Sequence, residues 1–141
     1  ELFRERMRRS ILPGDIYFAV TNSRYQAETQ AAYLLQRFDR DVVSLKPDWV
    51  SICIGINDVW RQFDSPAIPD EQVSPEEYRS NVEKMILSVK DNVKGVFLMT
   101  PYYMEPNAED WMRKRMDTYG AICRELAEKY GCCFIDLQAV F

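Results

Sequence analysis

Apolar residues recur at three- and four-residue steps from Glu28 to about Leu45, at Ala31, Leu34, Leu35, Phe38, Val42 and Leu45. This spacing predicts an amphipathic helix, which Pro47 ends. Trp49–Ile54 is then near-continuously apolar, as expected of a parallel strand covered on both faces. A polar, proline-bearing stretch from Arg61 to Val73 reads as a loop. Ser74-Pro75-Glu76-Glu77 predicts a helix start, with Ser74 as the N-cap, Pro75 in the first turn and Glu77 reaching back to complete a capping box. Val73 and Tyr78 are spaced to staple that entry. The helix carries Tyr78, Val82, Met85, Ile86 and Val89 inward and ends near Asn92-Val93-Lys94-Gly95.

Strand Val96–Thr100 follows, closed by Pro101. Beyond the loop Tyr102–Asn107, a helix runs from about Asp110 to Tyr130 with Met112, Met116, Tyr119, Cys123, Leu126 and Tyr130 in its stripe. Gly131 stops it, and Cys132–Leu137 reads as a last strand. Nearer the N-terminus, Ile16–Val20 is a further candidate strand and residues 1–15 a divergent helix. The order β-α-β-α-β-α-β is that of an α/β three-layer sandwich with a short parallel sheet and crossover helices. No internal repeat or second domain is visible, so residues 1–141 read as one domain. A flavodoxin-like domain shares this layering, but no Gly-rich phosphate loop follows the first strand.

Composition sets limits on partners. With 47% hydrophobic and 13% aromatic residues the chain can bury a core. Its net charge of -4 argues against a nucleic-acid surface, and the cluster Arg4-Glu5-Arg6-Met7-Arg8-Arg9 reads as a solvated helix face. No apolar run reaches the roughly 20 residues of a membrane span. No leader resembling a signal peptide is present, so a cytoplasmic location is expected. The first residue is Glu1 rather than Met, as expected of a fragment or a processed product. Cys53, Cys123, Cys132 and Cys133 lack the paired spacing of a zinc site, so no metal and no cofactor is expected. They read as free buried thiols, with at least one of the adjacent Cys132 and Cys133 facing inward from a strand.

Candidate chemistry gathers at the end of the second strand. Gly55 closes it and hands over to Asn57 and Asp58, where open α/β sheets place their ligand-handling groups. A neutral amide there can donate to a developing oxyanion. Asn57 also suits the N-cap of a helix beginning near Asp58, and Asp58 suits a brace for the loop or the helix start. Trp60, Tyr102 and Tyr103 fall on loops after strands, where aromatic rings line a substrate pocket or pack at its rim. Trp111 and Met112 read as core. The chain contains no histidine and so lacks the usual base of a hydrolytic triad. Ser23 has no base near it in sequence, and Lys46 falls at the opposite end of the strand from Asn57.

Three stretches resemble the SGNH (GDSL-type) superfamily of esterases and acylhydrolases. They are Gly55-Ile56-Asn57-Asp58 with its leader Lys46-Pro47-Asp48 and trailer Val59-Trp60-Arg61, the run from Val73 to Thr100-Pro101-Tyr102, and Tyr130-Gly131 through Phe134-Ile135-Asp136-Leu137. Together they cover roughly residues 20 to 141, and the order is more specific than any one motif. The resemblance implies that Asn57 donates its side-chain amide to the oxyanion. It implies a second, backbone donor in an Asn-x-x-x-x-Gly-x-Thr turn, for which Asn22–Thr29 offers Ala27 in place of Gly. It implies a small ester or acylated sugar as substrate. The nucleophile block Gly-Asp-Ser has only Gly14-Asp15-Ile16 as a counterpart, and the Asp-x-x-His block is not in these residues. The expectation is therefore an ester-hydrolase relative without its own nucleophile or base, inactive alone. A non-catalytic glycan- or acyl-binding module and a remnant without function are the alternatives.

Overall fold

The computed structural model describes residues 31–64 and 72–141, with Tyr33 by its backbone alone. The expected strand Ile16–Val20, the N-terminal helix, the turn Asn22–Thr29, Ser23 and Gly14-Asp15-Ile16 lie outside the described residues. The elements in order are α1 (Ala31–Asp41), a 3-10 turn (Val43–Leu45), β1 (Trp49–Cys53), α2 (Ile56–Asp64), α3 (Pro75–Val89), β2 (Gly95–Met99), α4 (Trp111–Tyr130), β3 (Cys133–Ile135) and α5 (Leu137–Val140). The three strands form one parallel sheet in the order β1-β2-β3. Trp49 pairs with Gly95 and Phe97 with Cys133 in its register. This is an α/β architecture with a short parallel sheet, the class that the alternation of patterns predicts.

Side-chain alternation explains the layers. Val50, Ile52, Val96 and Leu98 point to one face of the sheet and join a core with Phe38, Tyr78, Val82, Met85, Ile86, Met116, Tyr119 and Leu126. Residues on the other face, Trp49, Ser51, Phe97 and Met99, are half-buried, with the Trp49 and Phe97 rings 5.5 Å apart. Helix ends follow the local chemistry. Ser74 Oγ accepts from the Glu77 N–H, Asp110 accepts from the Arg113 N–H, and Gly131 closes α4 in the left-handed conformation at φ 68°. Both staple residues, Val73 and Tyr78, are buried.

Several expectations need correction. The first helix ends at Asp41 rather than near Leu45. The chain tightens into the 3-10 turn, passes through left-handed Lys46 at φ 49°, and leaves Leu45 42% exposed. Helix α2 continues through Arg61 to Asp64, where a loop was expected. Trp111 is 82% exposed, because it is the first residue of α4 and lies beyond the buried stripe, whereas Met112 packs against the core. Cys123 is buried, but Cys53 is exposed. It is the last residue of β1 and shares the half-buried face of Trp49 and Ser51. Neither Cys132 nor Cys133 is fully buried, since Cys132 precedes the strand and Cys133 opens a three-residue strand at the end of the strand order. Helix α5 was not expected. It is capped by Asp136, which accepts from the Ala139 N–H. Among the described residues, no helix is long and apolar enough to cross a membrane.

Candidate active site

The end of β1 is built around Gly55. Its φ of 127° is a conformation that L side chains rarely adopt, and a Cβ there would lie 3.0 Å from Pro101 and 3.1 Å from the Tyr78 ring. Tyr78 supports the turn from below, donating its hydroxyl to the Ile54 carbonyl at 2.8 Å. Gly55 O accepts from the Val59 N–H at 3.1 Å, which starts α2 immediately. Asn57 is therefore not the N-cap, as one reading of the sequence had it. It is the second residue of α2, half-buried, at the C-terminal end of a parallel strand. The N-terminus of a helix favours negative charge, the polarity that an oxyanion donor needs.

Asp58 points the other way. It is fully buried, and its two carboxylate oxygens lie 3.0 and 3.3 Å from the Ala31 N–H, joining α2 to the start of α1 across 27 positions. Burial pushes its pKa up to about 7, against the lowering effect of the Ala31 and Asp58 backbone N–H groups. The folded state then keeps a proton that the unfolded state releases near 3.8. Stability should fall as pH rises from about 4 to about 7 and level off above that. Asp58→Asn, which keeps an acceptor for Ala31, should flatten this slope in urea titrations. Identical pH profiles for parent and variant would show that Asp58 is not the group responsible.

Two glutamines that sequence reasoning passed over lock the surrounding elements. Gln62 Nε2 lies 2.9 Å from the Asp58 carbonyl, 3.1 Å from the Val73 carbonyl and 2.8 Å from Tyr119 Oη, and so ties α2 to α4 and to the entry of α3. Tyr119 also donates to the Val73 carbonyl. Gln138 Oε1 accepts from the Tyr103 N–H at 2.9 Å, and its Nε2 donates to the Tyr103 carbonyl at 3.2 Å. The Gln138 N–H reaches Thr100 Oγ1 at 3.2 Å, which fixes the loop after β2. No periodicity or motif marks either glutamine, because each has partners far away in sequence, Tyr119 for Gln62 and Thr100 and Tyr103 for Gln138.

A cavity of about 330 Å³ opens beside the end of β1, lined by Cys53, Ile54, Ile56, Pro101, Tyr102, Tyr103 and Met104. It brings together Tyr102 and Tyr103, and its rim residue Ile56 adjoins Asn57 in the chain. Trp60 is not in it. It lies on helix α2 rather than on a loop, 45% exposed. Ala27 falls outside the described residues. Among the described residues no cluster of His, Cys, Asp and Glu could hold a metal ion.

Strand, glycine turn and Asn-Asp pair stand together at the carboxyl edge of a parallel sheet, where open α/β folds place their ligand-handling groups. The chain belongs to the GDSL-like Lipase/Acylhydrolase family, whose model matches residues 3–141. It is 47% identical over 108 residues to an acetylxylan esterase of Geobacillus stearothermophilus, covering 77% of this chain and 49% of that protein. The structure of Axe2, an acetylxylan esterase from the same organism, superposes with a TM-score of 0.77 at 45% identity, over 78% of this chain and 50% of the other. LAE5, an α/β hydrolase enzyme from the metagenome of Lake Arreo, Spain, gives a TM-score of 0.77 at 48% identity, again over 78% and 50%. The chain thus spans about half the length of these relatives. Catalytic mutants of Axe2 replace a serine, an aspartate and a histidine, and histidine does not occur among these 141 residues.

Proposed function

We propose that this chain carries the oxyanion-stabilising part of an ester hydrolase that removes acyl groups from carbohydrate, and that it does not turn over esters alone. The observation that carries this reading is Gly55-Ile56-Asn57-Asp58 at the carboxyl end of β1, opening α2, in a chain 47% identical to an acetylxylan esterase. When a serine activated by histidine and aspartate attacks the ester carbonyl, negative charge gathers on the carbonyl oxygen. Asn57 Nδ2–H donates to that oxygen, and the Ala27 backbone N–H is the second donor. Asp58 braces the helix that carries Asn57. The acyl group occupies the cavity beside Tyr102 and Tyr103. Water then releases the acid from the acyl-serine.

A reading as a carbohydrate-binding module without turnover is favoured by one observation, the lack of any histidine. The two are separated by joining this chain to the segments of Axe2 that carry the serine, aspartate and histidine replaced in its catalytic mutants. The joined protein should release acetate from acetylated xylo-oligosaccharides. Hydrolysis of p-nitrophenyl acetate without release from the oligosaccharide would overturn the carbohydrate assignment, and hydrolysis of neither would overturn the esterase reading.

A further inference from the structure

Helix α2 has an unusual exposed face. It buries Asp58 and Arg61 beside Val59, and it exposes Ile56, Trp60 and Phe63 at 40%, 45% and 42%. Charged residues are seldom buried in this way, and three large apolar side chains on one exposed face call for a use. At positions i, i+4 and i+7 they form a single row along the helix. The row starts at the cavity, because Ile56 both lines that cavity and heads the row. From Ile56 to Phe63 it extends about 10 Å.

The middle of the row is held from below. Arg61 is 5% exposed and ion-paired with Asp64, and its guanidinium carbon lies 5.8 Å from the centre of the Trp60 ring. A buried cation against an indole orients the ring by attraction to its π face. Trp60 is thus a positioned surface ring rather than a loose one. Such a ring suits the apolar C–H face of a pyranose, whose hydroxyls stay in water. A row one residue wide is far smaller than a protein interface of about 1,200 Å² requires. It fits a narrow, neutral chain that emerges from the cavity.

We propose that Ile56, Trp60 and Phe63 form a stacking platform for the pyranose chain of an acylated oligosaccharide. The acyl-bearing sugar lies at the Ile56 end and the following rings lie over Trp60 and Phe63. This inference rests on the carbohydrate esterase reading and deepens it. No covalent step is involved, so the unacetylated sugar chain alone should bind.

The test is a titration of the 141-residue chain with xylotetraose, followed by calorimetry and tryptophan fluorescence. Saturable binding is expected. Trp60→Ala should weaken it by about tenfold, whereas Trp60→Phe should retain most of it. Trp111→Phe, at an exposed position on α4, should bind as the parent does. Circular dichroism of each variant separates loss of binding from loss of fold. No saturable binding by the parent, or equal affinity in Trp60→Ala, would overturn the platform. So would a dimer in sedimentation equilibrium that Trp60→Ala abolishes, because it would assign the row to a second copy. Hydrolysis of p-nitrophenyl acetate by the joined protein needs no sugar. Failure of the platform is therefore distinguishable from failure of the esterase reading.

Discussion

Asn57→Ala should lower kcat for p-nitrophenyl acetate by about 100- to 1000-fold, roughly 3–4 kcal/mol of barrier, in the chain joined to its relative's nucleophile and base segments. KM should change little, since an oxyanion donor acts on charge that exists only in the transition state. Asn57 is half-buried at the start of α2 and carries none of the core, so the thermal midpoint should stay near that of the parent. That combination separates loss of a donor from loss of fold. Asn57→Asp sharpens the test. A carboxylate of nearly the same shape places negative charge beside the oxyanion and should be at least as damaging as alanine. Activity of Asn57→Ala within a few-fold of the parent would remove Asn57 from the oxyanion hole.

Gly55→Ala should be the most destabilising single methyl that can be added to this region. Two costs combine at that position. The backbone φ of 127° penalises any Cβ, and the added carbon would meet Pro101 and the Tyr78 ring at 3.0–3.1 Å. Strain and overpacking each contribute about 1–3 kcal/mol, against a total stability of about 5–15 kcal/mol. Tyr78 cannot easily give way, because it is fully buried and hydrogen-bonded to the Ile54 carbonyl. A drop in the urea midpoint is the expected readout. An unchanged midpoint would show that the strand end relaxes freely, and that the positive φ is not required to aim Asn57.

The parts of this architecture that are legible in the chain are those with local causes. Ser74 and Gly131 mark helix ends through hydrogen bonds and backbone conformations that involve only nearby residues. The stripes of α3 and α4 follow from ordinary amphipathicity. Helix α2 escapes the usual pattern because it buries two charged residues beside Val59 and exposes large apolar ones. Asp58 and Arg61 face inward and Trp60 and Phe63 outward, so the usual pattern dissolves into an apparent polar loop after Trp60. Trp111 misled for a related reason, since its size suggests burial but its place at the head of α4 does not supply it.

Within the candidate site, the block from Gly55 to Asp58 could be located from its text alone. The brace role of Asp58 could be read there too, but its partner could not. Asn57 and Asp58 are adjacent and both polar, yet one lies half-buried at a helix start and the other is sealed against the Ala31 N–H. That difference follows from helical rotation and from a partner 27 positions away. Gln62 and Gln138 were invisible for the same reason. Tyr102 and Tyr103 line the cavity at the end of β1, while Trp60 lies on helix α2 outside it, where the sequence suggests a loop.

The most direct test of the central claim is the hydrolysis of p-nitrophenyl acetate by residues 1–141 alone and by the same residues joined to the Axe2 segments that carry the serine, aspartate and histidine. The expected result is background rate for the chain alone and turnover for the joined protein. Turnover by the chain alone that disappears in Asn57→Ala would contradict the account, because it would require a nucleophile among these residues.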